Sequence, residues 1–170
     1  MEIRDARPGD AEAIERIRVQ GWQAAYRDAF PPAQLDAMTV DASRWRARLE
    51  ELPAGWSILV AEEGGVVVGF AATGSDRDGA AAAELFALYV DPARWSRGAG
   101  RALLEVAEER LGERCDEATL WVLESNGRAR RLYERAGWQL DGARRSFDFG
   151  AASAPTVRYR KRLSTSRSRA

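Results

Sequence analysis

Leu88-Tyr89-Val90-Asp91-Pro92 leads, across four residues, into Arg97-Gly98-Ala99-Gly100-Arg101-Ala102-Leu103-Leu104. The order is an apolar strand, a short loop, paired glycines and the start of a helix, and the rest of the chain has to be fitted around it. Leu103, Leu104, Ala107 and Leu111 recur at core spacing, which predicts a helix over 98–111. The first turn of such a helix has backbone N–H groups without intrahelical partners, and its dipole points positive end outward. Glycines let an anion come close to that backbone, and Arg97 and Arg101 add charge, so a diphosphate is the natural occupant. A Gly-x-Gly pair alone does not separate the possible diphosphate ligands. A dinucleotide fingerprint needs a third glycine near Leu103, inside a βαβ unit, and a nucleoside triphosphate loop needs Gly-Lys-Ser/Thr where this region has no lysine.

Upstream of the loop the period is that of strands. Runs at 57–62 and 66–74 flank Gly64-Gly65, a hairpin signal, and a third run at 83–90 follows a polar connection at 75–80. Together they predict an antiparallel meander. Downstream, the helix leads to a buried-type strand at 118–123, so the two flanking strands should lie parallel. Asn126 then opens a helix carrying Ala129, Leu132 and Tyr133, ended at Gly137, and strands follow at 144–149 and 156–163. Near the N-terminus, Ile3 and Ala6 suggest a short strand. Asp10 would cap a helix carrying Ile14 and Ile17 that ends near Gly21, a second helix would occupy 22–30 before Pro31-Pro32, and Asp41 would cap a third reaching Leu52. These elements make one domain over 1–163, and 164–170 reads as a polar, disordered tail.

Basic and acidic residues balance at 26 each, so nothing draws the whole chain to nucleic acid or an anionic membrane. Any anion site must be local. Histidine is absent and Cys115 is the single cysteine, which excludes an internal disulfide, zinc held by His and Cys, and every mechanism with an imidazole base. Cys115 reads as a packing residue, and no metal is expected. With no apolar leader and no run approaching a membrane span, the expected location is the cytoplasm.

The loop motif resembles the GNAT acetyltransferase family, whose signature is Arg/Gln-x-x-Gly-x-Gly/Ala at a helix start after strand four. Leu120-Trp121-Val122-Leu123-Glu124-Ser125-Asn126, then Ala129, Tyr133, Gly137 and Trp138, is similar to the second half of that family, and Ile3-Arg4, Asp10-Ala11, Trp22 and Tyr26 to its N-terminus. The resemblance implies an α/β (α+β) fold: a mixed, mostly antiparallel sheet of about seven strands with helices on both faces. It implies acetyl-coenzyme A as co-substrate, held by Arg97, Gly98, Ala99, Gly100, Arg101 and Ala102 and by the backbone of Leu88, Tyr89 and Val90. A bulge in strand four would splay it from strand five, Asn126 would hold the pantetheine arm from the other side, and a backbone N–H near Val90 would face the thioester carbonyl. Tyr133 would protonate the departing thiolate. One position departs from the pattern: Trp95 stands where the family most often has Arg or Gln.

The acceptor implied is a primary amine of a small molecule or a peptide N-terminus, attacking directly in a ternary complex. Transfer of a longer acyl group, or a coenzyme A sensor without turnover, fits the same motif. Without histidine the base must be a carboxylate, a tyrosine or a water chain. Glu84 is the candidate, equally readable as a solvated strand-end charge, and Glu124 the alternative. Trp22, Tyr26, Trp45 and Trp56 either line the acceptor side or pack the core. Members of the family often pair as homodimers, an expectation that no residue here specifies.

Overall fold

In a computed structural model that describes residues 1–164, seven strands hydrogen-bond into a single sheet in the order β1-β2-β3-β4-β5-β7-β6. They are β1 (Glu2–Asp5), β2 (Ser57–Glu63), β3 (Val66–Gly74), β4 (Ala83–Val90), β5 (Glu117–Leu123), β6 (Gln139–Phe149) and β7 (Ala152–Arg162). Five helices accompany them: α1 (Ala11–Ala25), α2 (Pro32–Asp36), α3 (Ser43–Glu50), α4 (Ala99–Gly112) and α5 (Gly127–Arg135). Every strand pair is antiparallel except β4 with β5, where α4 makes the crossover. This is the mixed, mostly antiparallel α/β sheet that the sequence implied. The tail expected at 164–170 lies outside the described residues beyond Ser164.

Strand alternation sorts the core onto two faces. Leu59 and Ala61 of β2 meet α4 and α5 on one side, while Ile58 and Val60 meet α1 and α3 on the other. On α4, Leu103, Leu104 and Leu111 are at most 1% exposed. Trimming a leucine buried this deeply to alanine costs about 2–5 kcal/mol, so the helix that carries the glycine loop is firmly seated. Cys115 is buried at the end of this face, its Sγ donating to Leu111 O at 3.3 Å.

Three local expectations are corrected. Helix α1 passes through Gly21 and ends at Ala25, so Trp22 belongs to its last turn rather than to a second helix. Gly21 serves packing: a Cβ there would stand 3.2 Å from Cδ1 of Tyr89. The prolines begin a helix instead of stopping one, because proline at the first helical position sacrifices an N–H that has no partner anyway; Pro32 opens α2. Asp10 stands at the start of α1, but its carboxylate accepts from Arg7 N and pairs with Arg4, both at 2.7 Å, rather than capping that helix. Asp41 does accept the Ser43 N–H at the start of α3, at 3.0 Å. Strands β6 and β7 extend toward each other beyond the expected runs, and Pro155 sits inside β7. Its nitrogen faces the end of β5, where Pro155 O still accepts from Glu124 N at 2.9 Å, so the ring omits only the last donor of the ladder.

Candidate active site

Strand β4 changes phase in its middle. Ala72 pairs with Ala87 and Thr73 with Leu85, which leaves Phe86 as an extra residue. Ala83 and Leu85 before this bulge, and Leu88 and Val90 after it, therefore all point to the α4 face. Pairing between β4 and β5 covers only Ala83–Ala118, Glu84–Thr119 and Leu85–Leu120. Beyond these residues the two strands part. Asp91 N–H is spent on Val68 O at 2.9 Å, so by strand alternation the N–H and C=O groups of Val90 and Leu88 point away from β3 and into the gap. One of them is closed: Trp95 Nε1 donates to Val90 O at 2.9 Å.

The glycine loop stands at the wide end of the gap. Gly98 is the N-terminal cap of α4 with φ of 95°, and Ser96 has φ of 63°, a backbone region that suits glycine and strains other residues. Ala102 N–H is already bound to Gly98 O at 3.0 Å, so the donors left to an anion are those of Ala99, Gly100 and Arg101. Gly100 is not required by packing: a Cβ there would meet Leu132 and Val90 at ordinary distances of 3.5 and 3.6 Å. A glycine that the interior does not need leaves room for something on the open side. The Arg101 guanidinium is exposed and paired with Glu105 at 2.7 Å.

Helix α5 forms the facing wall. Asn126 caps it, Oδ1 accepting from Ala129 N at 3.1 Å, and its side chain lies beside the Tyr26 hydroxyl. Tyr26 in turn neighbours Tyr89, whose hydroxyl accepts from Trp22 Nε1 at 2.9 Å. Tyr133 is 7% exposed and packs against Trp138 and Tyr159. Burial pushes the phenols of Tyr26, Tyr89 and Tyr133 above their ordinary value, so all three are neutral at physiological pH.

These walls enclose a cavity of about 870 Å³. Its lining carries Arg94, Arg101, Arg128, Arg131, Arg135 and Lys161 against only Glu105 and Glu108, in a chain whose net charge is zero. A strongly cationic lining on a neutral protein is the mark of an anionic ligand. The family model described as "Acetyltransferase (GNAT) family" matches residues 19–138. The chain belongs to this family. Over 168 residues it is 29% identical to the "Probable N-acetyltransferase" of Mycobacterium tuberculosis, covering 94% of this chain and 92% of that one. It is 34% identical to the mycothiol acetyltransferase of Propionibacterium freudenreichii over 72% of this chain and 39% of that protein. Its fold matches the crystal structure of PaiA N-acetyltransferase from Thermoplasma acidophilum in complex with coenzyme A. That match has a TM-score of 0.75 and 18% identity, over 95% of this chain and 98% of the other.

The GNAT chain brings most of its sequence-derived candidates to one groove. Leu88, Tyr89 and Val90 form one wall, Gly98, Ala99, Gly100 and Arg101 the end, and Asn126 and Tyr133 the other wall. Arg97 and Ala102 are not among the lining residues. Glu84 is also elsewhere. It is fully buried where β4 and β5 still pair, and alternation places it on the opposite face of the sheet from Tyr133. Its carboxylate is held by Arg77, Nε to Oε2 at 2.9 Å with Nη2 on Oε1. Glu124 pairs with Arg144. Of the four aromatics, Trp22 packs against Phe30 and Phe149, Trp45 against Phe70 and Trp56 against Phe86, whereas Tyr26 lines the groove. Sequence reasoning gave Arg128 and Arg131 no part in the groove, although the arginine spacing on α5 was an available signal, and it offered Tyr26 only as one of four aromatics on the acceptor side or in the core. Among the described residues there is no group of three or more metal-ligating side chains and no helix long and apolar enough to cross a membrane.

Proposed function

We propose that the chain transfers an acetyl group from acetyl-coenzyme A to the primary amine of a small molecule or a peptide N-terminus, by direct attack in a ternary complex. The observation that carries this reading is the parting of β4 from β5. It leaves Leu88 and Val90 with backbone groups facing a groove that ends in a cationic glycine turn. An extended diamide fits the open strand edge as an added strand would. The N–H groups of Ala99, Gly100 and Arg101 suit a diphosphate.

Each residue then has a definable task. Val90 N–H, with its own carbonyl already closed by Trp95, is the donor for the oxygen that gains charge during attack. Such a donor contributes about 3 kcal/mol. Tyr133 supplies the proton to the departing sulfur. Burial makes its phenol a weaker acid than usual, so it shares the proton with a thiolate of pKa about 8.5 rather than handing it over early. The neutral hydroxyls of Tyr26 and Tyr89, both in the lining of the groove, are the groups placed to take up the ammonium proton and pass it to solvent. Arg77 occupies the carboxylate of Glu84, which favours the hydroxyls over Glu84 in that role.

Thermal unfolding with acetyl-coenzyme A, and with NAD and ATP as controls, tests the cofactor. A ligand at about 100 times its Kd raises Tm by roughly 5 to 10 °C for a chain of this size. Thiol release with a panel of amines then tests turnover. A Tm shift with no thiol release from any amine would leave a binding module, and no shift at millimolar ligand would end the acyltransferase reading.

A further inference from the structure

Helix α5 presents arginines to the groove at positions 128, 131 and 135, roughly one turn apart. The other cations of the lining are already paired: Arg94 with Glu63, Arg101 with Glu105 and Lys161 with Glu108. Arg128 and Arg131 have no carboxylate partner among the described residues. Both are nevertheless placed. The Arg128 guanidinium lies 4.3 Å over the Trp95 ring, with Nη1 donating to Ser96 Oγ at 3.2 Å. Arg131 folds back across the start of α5, where its Nη1 would stand 3.1 Å from a Cβ on Gly127. A side chain at 127 would crowd this guanidinium by a few tenths of an ångström.

Coenzyme A carries two phosphate groups of different kinds, a diphosphate and a 3′-phosphate monoester separated by one ribose ring. The glycine loop suits the first. Ser96, which fixes Arg128, lies two residues before Gly98, so the arginine pair begins where the diphosphate site ends. We propose that Arg128 and Arg131, seated against Trp95 and beside Gly127, form a second anion site. It would take the 3′-phosphate, so that the protein selects coenzyme A thioesters over their 3′-dephospho forms. Trp95 acquires a purpose on this account: it moves the positive charge usual at its own position onto the facing helix, where a fork of N–H donors suits a phosphate monoester. The inference rests on the acetyl-coenzyme A reading above.

Calorimetric titration of the full chain with acetyl-coenzyme A and with 3′-dephospho-acetyl-coenzyme A tests it, repeated on Arg128→Gln, Arg131→Gln and the double variant. The wild type is expected to prefer the phosphorylated form by roughly 30-fold or more, and each substitution to remove about tenfold of that preference. Because both side chains are exposed, unliganded Tm is expected to be unchanged. Equal binding of the two ligands by the wild type would overturn the second site while leaving the acyltransferase reading intact. A double variant that weakens both ligands alike would also overturn it, since the arginines would then act as a general field. Binding of neither ligand by the wild type would remove the underlying reading itself.

Discussion

The two ends of the β4–β5 pair are built on opposite principles. At the root, where the strands still hydrogen-bond, the polar side chains of β4 and β5 are matched within the protein. Arg77 holds Glu84, Thr119 Oγ1 donates to Asp76 at 3.2 Å, and Asp78 takes both the Trp121 indole at 2.6 Å and Arg145 at 2.8 Å. At the open end, backbone groups of Leu88 and Val90 face a gap, α4 begins with uncommitted N–H groups, and Arg128 and Arg131 lack counter-charges. A fold satisfies its polar groups wherever it can, since each unpaired buried group costs about 1–3 kcal/mol. A concentration of incomplete groups on one side of one strand pair therefore marks what a ligand completes. On the proposed function, the root is scaffold and the open end is site.

Raising pH attacks the open end, where the buried phenols of Tyr26, Tyr89 and Tyr133 lie. Their folded values lie above the unfolded one near 10, so their contribution is fully present below pH 10 and is lost as pH rises toward the folded values. For a phenol whose folded value lies well above 10 the slope approaches about 1.4 kcal/mol per pH unit. Urea midpoints at pH 8, 10 and 11 check this; equal midpoints would mean that the phenols are not protected. Next in size is Tyr133→Phe, expected to lower kcat about 100-fold with the Kd for acetyl-coenzyme A unchanged. A fall in affinity instead would make Tyr133 a binding residue.

Glu84→Gln separates the two ends most directly. It strips the buried partner from Arg77 and should lower stability by about 1–3 kcal/mol in chemical denaturation. The pH profile of kcat should keep its shape; loss of its acidic limb would restore Glu84 as the base. Smaller still is Gly98→Ala, which places a side chain at φ of 95° and should cost about 1 kcal/mol of stability while raising the Kd for acetyl-coenzyme A. The smallest effect expected is from Trp95→Phe. It frees Val90 O but keeps a ring under Arg128, so the Kd should change by roughly threefold or less.

Much of this was legible in the order of residues. The hairpin at Gly64-Gly65, the crossover through α4 and the Asn126 cap depend on periods and local signals within a few residues, and these survive folding. The bulge at Phe86 was available only through family resemblance, because no residue type announces it; it is visible in the register with β3. Gly21 misled for a related reason. As a local signal it reads as a helix end, and only the Tyr89 ring, brought in from a strand 68 residues away, shows that it is a point of close approach. Glu84 was chosen by elimination among residue types, and its partner Arg77 sits on a loop whose course no periodicity predicts.

By itself, then, the amino-acid order determined the strands, their sequence and the glycine-bounded start of α4, since these rest on interactions between near neighbours in the chain. It also ruled out an imidazole base and an internal disulfide by composition alone. Which groups stay unpaired was decided in three dimensions. Whether Glu84, Arg101, Arg128 or Val90 O has a partner depends on contacts set by sheet register and by the crossing of α4 and α5 over it. Those contacts separate the charges that hold the fold from the charges left for a ligand.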